Sequence, residues 1–263
     1  MDKRPIGVFD SGIGGLTVLK ELCHHFPFEE FIYLGDTARL PYGSKSPETI
    51  RQYSLQNMKT LAQQDVKALV IACNSASTQY RESHFEQIPV YNVIAPGAQK
   101  ALQVSQSRRI GVLGTRATVQ SQAYAQEVFA LDDKAQVFSQ ACPLFVPLAE
   151  EGWDNDPITN LIVYRYLEPL LRNNIDTLIL GCTHYPLLKS SIYRVTGSAI
   201  ELVDSGEAIA EWMKLDIAQG KLQMNSNDHQ GSVQVWTTDS SDHFNRLAVK
   251  IMDPVQIQEF KRV

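Results

Sequence analysis

Two stretches of this chain are built alike. "ALVIACNSAS" at residues 68–77 and "TLILGCTHYP" at residues 177–186 are each a continuous apolar run that ends in a cysteine followed by polar residues. Cys73 and Cys182 stand 109 residues apart, and so do Gly97 and Gly206, each of which follows a further apolar run. A third pair, "IGVFDSG" at Ile6 and "IGVLGTR" at Ile110, is offset by 104. Repetition at matched strand ends points to two copies of one structural unit, with about five residues added inside the second copy.

The strands expected are "IGVFD", "FIYLGD", "ALVIAC", "VYNVI", "RIGVLG", "AQVFSQ", "TLILGC", "AIELVD" and "SVQVW", with amphipathic stretches of helical length between them. Continuous rather than alternating hydrophobicity marks parallel strands covered on both faces. The fold class is therefore α/β, as two similar doubly wound parallel-sheet domains related by a pseudo-twofold, with an active-site cleft between them. The first domain takes residues 1–96 plus 207–263, the C-terminal segment returning to add a strand and a helix. The second takes residues 97–206.

At 263 residues the chain is long enough for two such domains, and its 44% hydrophobic content suits real cores. A net charge of −5 gives no basic surface for nucleic acid or anionic membrane. No apolar run reaches the ~20 residues of a membrane span. The opening "MDKRPIGVFDSG" lacks the apolar stretch and cleavage site of a secretory signal. Four cysteines in a chain this size do not make a disulfide framework, so the expectation is reduced thiols in the cytoplasm.

Ligands of open parallel sheets bind beyond the carboxyl ends of the strands. Cys73 and Cys182 sit at two such ends, one per unit, and facing units would put them on opposite sides of one cleft. Inverting a tetrahedral carbon through a carbanion needs a base on one face and an acid on the other. Two identical residues in mirrored settings can exchange those roles. Each positioned acid or base is worth ~10²–10⁴-fold. Asn74 and Ser75 follow the first thiol and Thr183 and His184 the second, where a helix start leaves N–H groups free for a carboxylate. His184 is placed to exchange a proton with Cys182, and Asp10 to orient groups near Cys73.

Simpler roles suit other residues. Cys23 and Cys142 read as small buried hydrophobes, and His84, His229 and His243 as surface residues. Cys73, Cys182 and His184 lack the local spacing of a metal site, and a Cys73–His184 hydrolase would leave Cys182 idle. "DSGIGGLT" fails both the Walker A and the dinucleotide glycine spacings, and reads as a tight turn that exposes Asp10 and Ser11 to the cleft. "LGDTARLPYG" and "ACPLFVPLAEEG" occupy corresponding places and read as cleft-lining loops. The residues alone leave open a racemase of another acidic amino acid such as aspartate, or a two-lobed amino-acid binding protein. No lysine in a strand-end motif suggests a pyridoxal-phosphate enzyme.

In order and spacing, "GVFDSGIGGLTVL", "YLGDTARLPYG", "ACNSAS", "IGVLGTRATVQSQAY" and "GCTHYPLL" resemble the signatures of the cofactor-independent aspartate/glutamate racemases, and within them the glutamate racemases. The resemblance implies direct proton transfer with no cofactor and no metal. It implies Cys73 as the base toward D-glutamate and Cys182 as the base toward L-glutamate, assisted by Asp10 and His184. Asp10 and Ser11 are then contacts to the amino-acid end, and Tyr42 and Gly43 backbone contacts to the side-chain carboxylate. Asn74, Ser75, Thr118 and Thr183 are further polar contacts, with Asp36 and Glu150 as supporting acids. Ser75 stands where the family commonly has threonine, and Ala95 where an acidic residue is frequent. The resemblance further implies glutamate as the small-molecule substrate, a homodimer, and D-glutamate supply for peptidoglycan.

Overall fold

The computed structural model describes residues 2–225 and 230–263, so His229 lies outside the described residues. Its strands are β1 (Ile6–Asp10), β2 (Phe31–Gly35), β3 (Ala68–Ile71), β4 (His84–Phe85), β5 (Ile88–Asn92), β6 (Arg109–Gly114), β7 (Gln136–Ala141), β8 (Thr177–Gly181), β9 (Glu201–Asp204), β10 (Val233–Thr237) and β11 (Glu259–Arg262). β1, β2, β3 and β8 are buried along their whole length, as continuous apolar runs require when helices cover both faces.

The strands form two sheets. One has the order β11-β10-β2-β1-β3-β5-β4 and the other β7-β6-β8-β9. All pairings are parallel except the short β4–β5 hairpin. Both sheets thus contain one doubly wound path, in which the second strand lies outside the first and the third lies inside it. Register repeats as well: Ile6 pairs with Ala68 on β1 and β3, and Ile110 with Thr177 on β6 and β8.

The duplication departs from the sequence reading at the last strand pair. Leu69 pairs with Val90, whereas Leu178 pairs with Leu202, so the offset there is 112 rather than 109. Gly97 is the fourth residue of the helix Ile94–Val104, and Gly206 the second of the helix Ser205–Ala218, so the two glycines are not equivalent. The equivalent pair is Asn92 and Asp204, whose side chains each accept from a backbone N–H two residues on, Ile94 N at 3.1 Å and Gly206 N at 2.8 Å. Strand pairing fixes the equivalence; a glycine inside a helix does not.

Successive side chains of each strand alternate between two cores. On the first sheet, Ile6, Val8 and Tyr33 pack under the helices Leu16–His25, Ser205–Ala218 and Asp242–Met252, while Phe9, Leu34 and Ile71 pack under Pro47–Ala62. On the second, Leu178 and Leu180 face the helix Pro157–Leu171, and Ile110, Val112 and Ile179 face Ile94–Val104 and Ala123–Leu131. Ser46 and Asp156 cap their helices just before Pro47 and Pro157, an N-cap followed by a proline that lacks the N–H the helix would leave orphaned.

Two strands escaped the periodicity reading. β11, "EFKR", is exposed at every position, and β4 has only two residues. Charge on an edge strand discourages pairing with another chain, and also removes the apolar signal.

Candidate active site

The ends of β1, β3, β6 and β8 converge on one cavity of about 210 Å³. Cys73 and Cys182 both line it, together with their polar followers Asn74, Ser75, Thr183 and His184. Ser11 and the segment 41–44 close it from the first sheet; Thr115, Arg116 and residues of the segment 142–147 close it from the second. Both expected lining loops are therefore on the wall.

A helical turn follows each thiol, Asn74–Ser77 after Cys73 and Tyr185–Leu188 after Cys182, the second running on into the helix Lys189–Thr196. Ser77 N donates to Cys73 O at 2.8 Å, and Tyr185 N donates to Cys182 O at 3.0 Å. The side-chain settings differ. Cys73 Sγ donates to Ser11 Oγ at 3.8 Å. Burial pushes this thiol above the ordinary range and the Asp10 carboxylate adds to the effect; a backbone N–H and the Ser11 hydroxyl pull the other way. Cys182 Sγ instead lies 3.9 Å from His184 Nδ1, whose Nε2 meets Glu150 Oε1 at 2.9 Å. Burial opposes a charged imidazole, but its bonds to Cys182 and Glu150 outweigh that and push His184 up to about 10.

Hydrogen bonds cross between the sheets around the cavity. Thr183 Oγ1 donates to Asp10 Oδ1 at 3.2 Å, and Asp10 Oδ2 accepts from Gly12 N at 3.0 Å. Asn74 Nδ2 donates to Tyr124 OH at 2.8 Å and to Ser205 Oγ at 3.0 Å. This leaves Asn74 Oδ1 buried with no partner among the described residues, an open acceptor on a cavity-lining residue. Ser75 Oγ lies 2.9 Å from Thr115 Oγ1, which is 3.0 Å from Thr118 Oγ1. Close approach holds the walls together: a Cβ on Gly43 would stand 2.6 Å from Thr115 Cβ, and one on Gly14 2.4 Å from His184 Nδ1.

Four of the residues singled out from the sequence stand behind the wall. Asp10 is fully buried and turned back to Gly12 and Thr183, so the turn exposes Ser11 to the cavity but not Asp10. Asp36, also fully buried, accepts from the Tyr42 hydroxyl, from Arg39 and from Thr238, which anchors the Tyr42 turn. Burial first and Asp36 second push the Tyr42 phenol up. Thr118 reaches Ser75 only at 3.5 Å, and Glu150 acts through His184.

Sequence reading missed Thr115 and Arg116, because nothing in an isolated motif shows which strand-end turns meet. Cys142 is buried, as a small hydrophobe would be, but it also lines the cavity. Cys23 is buried away from the cavity, and His84 and His243 are exposed. All four cysteines are free thiols. Among the described residues no three His, Cys, Asp or Glu side chains gather as a metal site would need, and no helix is long and apolar enough to cross a membrane.

Comparison with known proteins bears on the family and the fold. A family model described as Asp/Glu/Hydantoin racemase matches residues 16–213. A glutamate racemase of Geobacter metallireducens is 44% identical over 254 residues, covering 96% of this chain and 94% of the relative. A glutamate racemase isoform from Bacillus anthracis superposes with a TM-score of 0.93 at 37% identity, covering 100% of this chain and 98% of the other. The glutamate racemase of Francisella tularensis, solved in complex with D-glutamate, superposes with a TM-score of 0.91 at 36% identity over 100% of this chain and 98% of that one. The chain belongs to the Asp/Glu/Hydantoin racemase family and is an amino-acid racemase, an isomerase whose relatives are glutamate racemases.

Proposed function

We propose that this enzyme interconverts L-glutamate and D-glutamate without a cofactor, Cys182 and Cys73 serving as the two acid/bases. The observation that carries the reading is that two buried thiols from equivalent strand ends line one small cavity. Their unlike neighbours support a direction for the resting enzyme. Cys73, pushed up by burial and Asp10, starts as the proton donor, and Cys182, 3.9 Å from His184 Nδ1 on the other side, takes the part of the base. Cys182 removes the α-proton of L-glutamate, and Cys73 protonates the carbanion from the other face. The product leaves the thiols with exchanged protons, ready for the reverse reaction.

The polar wall has matching work. The open Asn74 Oδ1 accepts from the α-ammonium. Donors at Ser11, Ser75 and Thr183 serve the α-carboxylate, where charge builds as the carbanion forms. The backbone of Tyr42 and Gly43 takes the side-chain carboxylate, Asp36 holding that turn, while Thr118 backs Ser75 and Glu150 holds His184. The proposal includes the division into domains at residues 1–96 plus 207–263 and 97–206, a homodimer, a cytoplasmic location, and D-glutamate supply for peptidoglycan. Aspartate is the competing substrate, since one methylene is worth only ~1–3 kcal/mol.

The test is incubation of purified protein, with nothing added, in D₂O with each enantiomer of glutamate and aspartate, followed by proton NMR and chiral separation. Deuterium entering the α-position with inversion on glutamate is the expected result. Inversion confined to aspartate would reassign the substrate. Cys73→Ser and Cys182→Ser should each lower racemisation by ~10²–10⁴-fold; wild-type turnover in either variant would end the two-base reading.

A further inference from the structure

Among the described residues, Arg116 is the one lysine or arginine on the wall of the thiol cavity, and no aspartate or glutamate shares that wall. It is exposed, and among the described residues it takes part in no ion pair. The acids nearest the site are spoken for: Asp10 by Gly12 and Thr183, Asp36 by Arg39 and Tyr42, Glu150 by His184. His184, the other cation of the wall, is committed to Cys182 and Glu150. The remaining lip is apolar and proline-rich, from Pro41, Pro143, Val146 and Pro147. Among the described residues this guanidinium at the cavity mouth has no acidic partner.

Its position is fixed by its neighbour. Thr115, which caps the helix Arg116–Ser121, lies against Gly43 and bonds Ser75. Arg116 therefore opens that helix directly beside the Tyr42–Ser44 turn. On the reading of the site as a glutamate pocket, on which this inference rests, that turn receives the distal carboxylate. We propose that Arg116 is a substrate-positioning and specificity-determining residue, which draws a dicarboxylate into the cavity and directs its distal carboxylate toward the Tyr42–Gly43 turn. A guanidinium suits the task because it stays charged and offers several donors in a fixed plane. A cation focused by low-dielectric walls raises capture of an anion, and salt weakens that capture.

The experiment is steady-state racemisation of L-glutamate and D-glutamate by the full chain as wild type, Arg116→Gln, Arg116→Lys and Arg116→Glu, each at low and at high salt. Arg116→Gln is expected to lower kcat/KM on the order of tenfold, mainly through KM, and to flatten its salt dependence. Arg116→Lys should recover most of the loss, and Arg116→Glu should fall below Arg116→Gln. Wild-type kcat/KM and salt slope in Arg116→Gln would overturn the proposal. So would equal damage in the lysine and glutamine variants, which would mark a purely structural side chain. Absence of α-deuteration of glutamate by the wild type would overturn the glutamate reading itself and this inference with it; deuteration intact in the wild type confines any failure to Arg116.

Discussion

Thr183, one residue after the second thiol, donates its hydroxyl to Asp10, the last residue of β1, at 3.2 Å. This bond ties the Cys182 turn of one sheet to the strand end that faces Cys73 in the other. Asp10 thereby acts on both halves of the site. Its backbone-anchored carboxylate holds the glycine turn, and its charge adds to the burial that pushes the Cys73 thiol up.

Asp10→Asn removes that charge and leaves the side chain's shape. The Cys73 thiol should then ionise at lower pH, so peptide-resolved alkylation of Cys73 at fixed alkaline pH should be faster than in the wild type. An unchanged rate would assign the upward shift to burial alone.

Glu150→Gln removes one of the two partners that push His184 up to about 10. The imidazole should lose its proton at lower pH, and the alkaline limb of kcat/KM for L-glutamate should move down with it. The sign for stability follows from linkage. A histidine raised above its ordinary 6.5 contributes fully below that pH, and the contribution is lost as pH rises through about 10. The variant should lose it earlier. NMR titration of the His184 ring checks both statements; a midpoint equal to the wild type's would credit Cys182 alone.

Gly12→Ala and Gly14→Ala should behave oppositely although they lie in one turn. A Cβ on Gly12 has its nearest neighbour, Leu40 Cδ2, at 3.6 Å, an ordinary contact, so stability and turnover should stay within ~0.5 kcal/mol of wild type. A Cβ on Gly14 would meet His184 Nδ1 at 2.4 Å and Thr183 Oγ1 at 2.5 Å. It must push the Cys182 turn away from the first sheet, and turnover should fall at least tenfold. Equal kinetics in the two variants would contradict the packing described.

Lys67 and Glu29 form a buried ion pair at 2.6 Å at the amino-terminal edge of the first sheet, just before β3 and remote from its thiol end. Lys67→Met should cost ~3–5 kcal/mol in urea denaturation, because the Glu29 carboxylate is left buried and uncompensated. Adding Glu29→Gln should restore much of it, with turnover of both variants near wild type. A single variant as stable as wild type would mean that water reaches Glu29.

Much of this protein is decided locally, and those parts were legible in the sequence. Buried parallel strands must be apolar throughout, so "IGVFD", "ALVIAC" and "TLILGC" announce themselves, and a ligand-facing thiol must come where such a run stops. The kinship of the two halves showed for the same reason. What no segment carries alone is decided by how the two sheets meet. Tertiary packing turned Asp10 away from the cavity, set Asp36 and Thr118 behind it, and brought Thr115, Arg116 and Cys142 onto its wall. Strand pairing, not glycine spacing, made Asn92 rather than Gly97 the partner of the second half's helix start. A charged edge strand such as β11 exists only because β10 offers it free backbone groups, and its own side chains give no sign of it.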